Sequence, residues 1–153
     1  MNYDLQRFLD AQALMYQQAL KEVEAGKKED HWIWFIFPQF KGLGKSNSSR
    51  YFGISGIDEA RAYYEHPVLG ARLREVTGAL LMNDKSADEI FGKLDAQKVR
   101  SCMTLFNYIA KYILENEDDI FQKALNKFYD GKGDALTGKM LDGINETQIV
   151  LWT

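Results

Sequence analysis

The side chains of this chain best suited to chemistry are scattered along its length. His31 and His66 are its only histidines, and an imidazole near neutral pH can give or take a proton. His31 opens an aromatic segment and is the candidate proton-transfer residue. His66 precedes Pro67 and also reads as a capping residue at a helix start. Lys45, Arg72 and Lys98 supply positive charge for an anion. Asp95, Lys98, Ser101 and Thr104 follow one another at three-residue spacing, which puts a carboxylate, an amine and two hydroxyls on one helical stripe. A serine beside a lysine is a known nucleophilic device, and an ordinary helix surface with a capping aspartate has the same pattern. Trp32, Trp34, Phe35 and Phe37 could stack on a flat ligand, but four such residues cannot share one face; Trp34 and Phe37 fall three apart and do share one. Core packing is the alternative use of that run.

The string Gly42-Leu43-Gly44-Lys45-Ser46 follows the aromatic run and ends like a phosphate-binding loop. Gln39 stands where that motif needs its first glycine. Asn47-Ser48-Ser49-Arg50 reads as a poor helix start, and the strand–helix alternation of that fold is missing. A nucleotide-hydrolase loop is therefore rejected. Two readings stay open. The glycine turns, with Lys41, Lys45, Arg50 and the hydroxyls of Ser46, Ser48 and Ser49, could form an anion-binding nest. They could equally be a solvated reversal of the chain.

The elements that must position these residues read as helices. Leu5, Phe8, Leu9, Gln12, Tyr16, Ala19, Leu20 and Val23 recur at three- and four-residue spacing, which predicts a first helix ended by Gly26. The segment from His31 to Phe37 is rich in strand-forming residues, but its only partner of comparable strength is the tail Gln148–Trp152. A lone strand leaves backbone groups unpaired, so a short buried helix capped by Asp30 is expected. Residues 39–56 are expected to be a long loop, of a kind often functional. Further helices follow: one capped by Ser55 and Asp58, one starting at Pro67, a short one with a Ser86–Glu89 capping box, a long one capped by Asp95 and ended by Asn116, one stopped by Asp130-Gly131, and a last from about Ala135 to Leu141 before Gly143. The expected architecture is all-α: residues 1–153 as one compact bundle of about six to seven helices, with a long Gly-rich loop after the second.

Composition agrees. At 153 residues the chain has the size of one domain, and 46% hydrophobic against 27% charged residues is a folded composition. A net charge of −3 argues against nucleic-acid binding. One cysteine, Cys102, excludes an internal disulfide and reads as a packed thiol. No signal peptide or bilayer-spanning run is legible, so a cytoplasmic location and no membrane partner are expected. The Asp, Glu, His and Cys spacing suggests no metal site, and no cofactor is expected.

The run His31-Trp32-x-Trp34-Phe35-x-Phe37-Pro38-Gln39, followed by Gly42-Leu43-Gly44 and Ser46, resembles the signature of a bacterial all-helical family, domain of unknown function 1810. Glu59-Ala60, Tyr63, His66-Pro67, Leu69-Gly70 and Arg72-Leu73 fit its middle; Phe91-Gly92, Asp95, Lys98, Ser101 and Thr104-Leu105-Phe106 fit its later portion. The resemblance implies a compact helical bundle and brings no activity or catalytic residue. Members are sometimes labelled calpastatin-like, although calpastatin segments are disordered and this composition is not. It does place His31, Gln39, Ser46, His66, Arg72, Asp95, Lys98 and Ser101 within the motifs. The functional expectation is a pocket for a small anionic ligand, with a nucleotide as one candidate. It would form where the aromatic helix, the glycine loop and the helix starts at Pro67 and Asp95 converge, with Trp34, Gln39, Lys45, Ser46, His66, Arg72, Asp95, Lys98 and Ser101 as its lining. The alternative is a protein-interaction module that presents an exposed aromatic face to a protein partner.

Overall fold

The computed structural model describes residues 3–152, with the side chains of residues 3–143. Nine α-helices are present among the described residues: α1 (Gln6–Ala25), α2 (Ile33–Ile36), α3 (Asn47–Phe52), α4 (Ile57–Glu65), α5 (Leu69–Leu81), α6 (Ala87–Phe91), α7 (Lys93–Tyr108), α8 (Ile120–Tyr129) and α9 (Ala135–Trp152). A π-helical turn, Ile109–Ile113, extends α7. The architecture is all-α, as the periodicity predicts.

The long helices enclose one core. Helix α1 packs on α5, α5 on α8, and α8 on α7. The buried face of α1 is Phe8, Gln12, Tyr16, Ala19, Glu22 and Val23; all but Glu22 belong to the predicted stripe, whose Leu5, Leu9 and Leu20 pack against the core half-buried. Gln12 belongs there because its amide is satisfied: Nε2 donates to the Phe35 carbonyl at 2.8 Å and to the Tyr63 hydroxyl at 3.1 Å. Gly26 ends the helix in the left-handed conformation at φ 76°, which costs glycine little.

The aromatic run is a helix of a single turn. Trp32, not Asp30, occupies the cap position, and no side chain caps it. Instead the Glu22 carboxylate on α1 receives the Glu29 and Asp30 N–H groups and the Trp32 indole, at 2.6, 3.0 and 2.9 Å. Burial explains why so short a helix persists. Trp32, Ile33, Phe35, Ile36 and Phe37 all enter the core, where Phe37 meets Phe91 edge to face with ring centres 5.7 Å apart.

Residues 39–56 depart from the expected unstructured loop. The Ser46 hydroxyl accepts from the Ser49 N–H at 3.1 Å and caps α3, so the segment read as a poor helix start is a helix start. The base of the loop is pinched by a parallel bridge between Phe40 and Ile54. Lys41 N–H donates to the Ile54 carbonyl at 2.8 Å, and Ile54 N–H to the Gln39 carbonyl at 2.9 Å. The pinch leaves no room for a side chain at Gly53, where a Cβ would lie 2.6 Å from the Lys41 Cα. Gly53→Ala is expected to cost about 1–3 kcal/mol of stability, measurable by urea unfolding.

Other helix starts also differ. Helix α4 begins after Gly56, and the Ser55 N–H donates to Glu59 rather than Ser55 capping with Asp58. Helix α5 begins at Leu69, two residues past Pro67. Helix α7 begins after Gly92, which places Asp95 inside its first turn. The Ser86–Glu89 capping box forms as predicted. The π turn carries α7 on to Ile113, so the helical run ends shortly before the expected stop at Asn116, and α9 continues through Gly143 to Trp152. The tail Gln148–Trp152 is therefore helical backbone rather than a strand.

Candidate ligand site

Helix α2, the start of the glycine loop and helix α7 meet around the Trp34 indole. Trp34 is the one aromatic of its run that stays partly exposed, and it lines a small inner hollow of about 10 Å³ with Ile33, Phe37, Gln39, Ser49 and Lys98. An outer hollow of about 280 Å³ adjoins it and shares Gln39 and Lys98. Gly44, Gln97, Ser101 and Asp134 line that outer part, and Leu94 and Leu136, exposed by 82% and 60%, edge it.

The charges are organised around Asp95. Its carboxylate accepts Lys28 Nζ at 2.8 Å and Lys98 Nζ at 3.0 Å. Burial alone would raise this carboxyl; the hydrogen bonds from the two ammonium groups outweigh it and hold the carboxyl below its ordinary value. Two cations thus share one carboxylate, leaving an excess positive charge. Each ammonium also lies near an indole, Lys28 Nζ 5.1 Å from the Trp32 ring and Lys98 Nζ 5.7 Å from the Trp34 ring. Trp34 Nε1 is buried and has no hydrogen-bond partner among the described residues. Asp134, at the far edge, already receives the Thr137 N–H and hydroxyl at 2.9 and 2.7 Å. The Ser101 hydroxyl donates to the Gln97 carbonyl at 3.1 Å, and that of Thr104 to the Arg100 carbonyl at 2.8 Å, the usual back-bonding of hydroxyls within a helix.

Five of the expected site residues stand elsewhere. His31 is exposed and lines neither hollow. His66 Nδ1 accepts the Val68 and Leu69 N–H groups at 3.1 and 3.2 Å, so this histidine caps α5. The Arg72 guanidinium lies 4.9 Å over the Tyr16 ring and reaches Gln12 Oε1 at 3.4 Å, in the seam between α1 and α5. Lys45 is exposed, and Ser46 turns its hydroxyl to its own helix. The expected meeting of His31, Arg72 and Lys98 does not occur, because α5 is held against α1 while α7 faces α2. Trp34, Gln39, Lys98 and Ser101 do line the hollows, and Asp95 stands behind them through Lys98. Lys28 is missed by sequence reading, since it sits in a charged run that ends a helix and looks solvated; its side chain is only 9% exposed. Cys102 is fully buried, and burial pushes its thiol well up, as befits a packed residue.

The fold and site define a class: an all-helical bundle with a tryptophan–lysine hollow between its aromatic turn, the glycine loop and helix α7. The chain belongs to the family described as Protein of unknown function (DUF1810), whose model matches residues 2–141. It is similar to the crystal structure of the conserved hypothetical protein Rv1873 from Mycobacterium tuberculosis, at 43% identity over 88% of this chain and 94% of that one, with a TM-score of 0.81. No curated protein matches it. Among the described residues no helix is long and apolar enough to cross a membrane, and no group of acidic, histidine or cysteine side chains is placed to hold a metal ion.

Proposed function

We propose that this protein binds a small anionic molecule in the paired hollows beside Trp34, with Lys98 as its counter-charge. The observation that carries the reading is the buried Trp34 Nε1 without a partner. An unmet buried donor costs about 1–3 kcal/mol, which a ligand acceptor would recover. The excess charge of the Lys28–Asp95–Lys98 group favours an acceptor that is negative. The inner hollow of about 10 Å³ admits one oxygen-sized group, so the body of the ligand lies in the outer hollow, against Leu43, Leu94 and Leu136. About 280 Å³ is near the lower end for small-molecule clefts and suits a short carboxylate or phosphate ester better than a whole nucleotide. With Trp32 in the core and Trp34 lining a concavity, ligand binding is better supported than an aromatic docking face. The role assigned to the site is binding, since the Ser101 hydroxyl is committed to a backbone carbonyl and His31 stands outside it.

Thermal shift with inorganic phosphate, short-chain carboxylates, sugar phosphates and mononucleotides tests this. A ligand at 100 times its dissociation constant is expected to add about 2.7 kcal/mol. Lys98→Ala should remove that gain. Trp34→Phe keeps a ring and deletes the N–H; it should weaken binding in a protein that remains folded. An anion panel without effect, or an effect indifferent to both substitutions, overturns the proposal.

A further inference from the structure

A second hollow, of about 240 Å³, lies where α7, the π turn, α8 and α9 come together, and it shares no lining residue with the hollows at Trp34. We propose that it is a binding site for a small organic cation, an alkylammonium or guanidinium group carrying a short apolar body.

Its chemistry is that of an acceptor. Asn107 Nδ2 donates to Gln122 Oε1 at 2.9 Å, and Gln122 Nε2 donates to Asn126 Oδ1 at 2.9 Å. This relay of amides runs in one direction and leaves Asn107 Oδ1 buried with no partner among the described residues. A buried carbonyl in that state calls for a donor. Asp142 is the charged residue lining the hollow among the described residues, so the local charge is negative. Tyr108 and Tyr112 form part of the wall with their rings 5.2 Å apart, and tyrosine faces attract organic cations. The π turn sets that pair: Leu114 N–H reaches back to the Ile109 carbonyl at 3.0 Å, and the widened turn carries Tyr112. Single π turns recur at functional sites.

The opposite wall is kept open by a glycine. Gly138 sits within α9, where glycine is a poor helix former, and a Cβ there would meet nothing within 4 Å. Nothing in the packing demands glycine at that position, and a side chain there would project into open space beside the hollow that Gly138 lines. Leu125 and Leu141 supply the apolar surface for the body of the ligand.

Backbone amide NMR titration of the full chain with n-butylammonium, 1-butanol and butyrate is the test. The cation is expected to give saturable shifts centred on Gly131, Gly133 and Gly138, with the alcohol weaker and the carboxylate without effect. Asn107→Asp should tighten n-butylammonium about tenfold and Asn107→Leu should weaken it about tenfold. Gly138→Leu fills the hollow, favours the helix, and should abolish the shifts in a protein that remains folded even where a change at Asn107 disturbs the core. Equal response to butanol, preference for butyrate (the response of a relay running the other way), or cation shifts that persist in Gly138→Leu would each overturn the assignment.

Discussion

Arg7→Ala is expected to cost about 3–5 kcal/mol of folding free energy and to lower the melting temperature by about 6–20 °C. The reason is a buried ion pair with no spare partner. The Arg7 and Glu59 side chains are 8% and 4% exposed and meet at 3.0 Å. Arg7 Nε also donates to the Tyr51 carbonyl at 2.9 Å, Nη2 to the Gly53 carbonyl at 3.0 Å, and Nη1 to the Asp4 carbonyl. Glu59 Oε1 in turn accepts the Ser55 N–H at 2.8 Å. Removing the guanidinium leaves a buried carboxylate and a set of carbonyls without donors. Removing Glu59 leaves a buried cation, so Glu59→Ala should cost about as much. The double variant should be less damaged than the sum of the two by about 1.5–3 kcal/mol, because no lone charge is left behind. Guanidinium unfolding of the four proteins measures this. Additive losses would mean that the two residues act separately.

This pair also matters to the site. It fastens the end of the loop, residues 51–55, to α1 and α4, while the other end of the loop carries Gln39 and Gly44 at the hollow. Ser49 of α3 lines the inner hollow from the same segment. Anion binding at Lys98 should therefore weaken in Arg7→Ala even at temperatures where the variant is folded, although Arg7 lies outside that hollow.

Periodicity carried the reading of the fold a long way because it reports burial. The α1 stripe, including the polar Gln12, follows from spacing alone, and so do the capping box at Ser86 and the stop at Gly26. Helix boundaries were legible where a local hydrogen bond decides them and failed where distant contacts do. Asp30 looks like a cap, but its own N–H and the Trp32 indole are fixed by Glu22 from α1, and the helix begins one residue after Trp32 with no side-chain cap. Gly143 looks like a stop, yet an internal glycine costs a helix only about 1 kcal/mol and α9 continues through it. The site was the least legible part for a related reason. Spacing says which residues share a helix face, so Asp95 and Lys98 were found together. It does not say which helix or link packs against that face, so Lys28, in the link between α1 and α2, is not legible as a member, and Arg72, on α5, looks like one. The two buried groups without partners, Trp34 Nε1 and Asn107 Oδ1, depend on packing from several elements at once, and no pattern within one segment announces them.

Replacing Glu22 should change how the protein responds to acid as well as its stability. Burial by itself would raise the Glu22 carboxyl from its ordinary 4.5, but donors from Asp30, Glu29, Trp32 and Gln18 converge on it and hold it at about 2. Asp30, the exposed neighbour, is pushed up by its contact with Glu22, so the ionised member of the two is Glu22. A carboxyl held lower in the folded chain than in the unfolded one stabilises the fold above its unfolded value, and that stabilisation is lost as the pH falls through its folded value. The stabilisation is thus complete above about pH 4.5–5 and gone near pH 2. Glu22→Gln removes a charged acceptor of several hydrogen bonds and should be destabilised by about 1.5–3 kcal/mol at pH 7, with the gap to the wild type closing as the pH drops from about 5 toward 2. Urea unfolding at a series of pH values, followed by tryptophan fluorescence because Trp32 is one of the donors, reads both quantities. A gap that stays constant across that range would mean that Glu22 acts by shape and not by charge, and that the single-turn helix carrying Trp34 is held in place by packing alone.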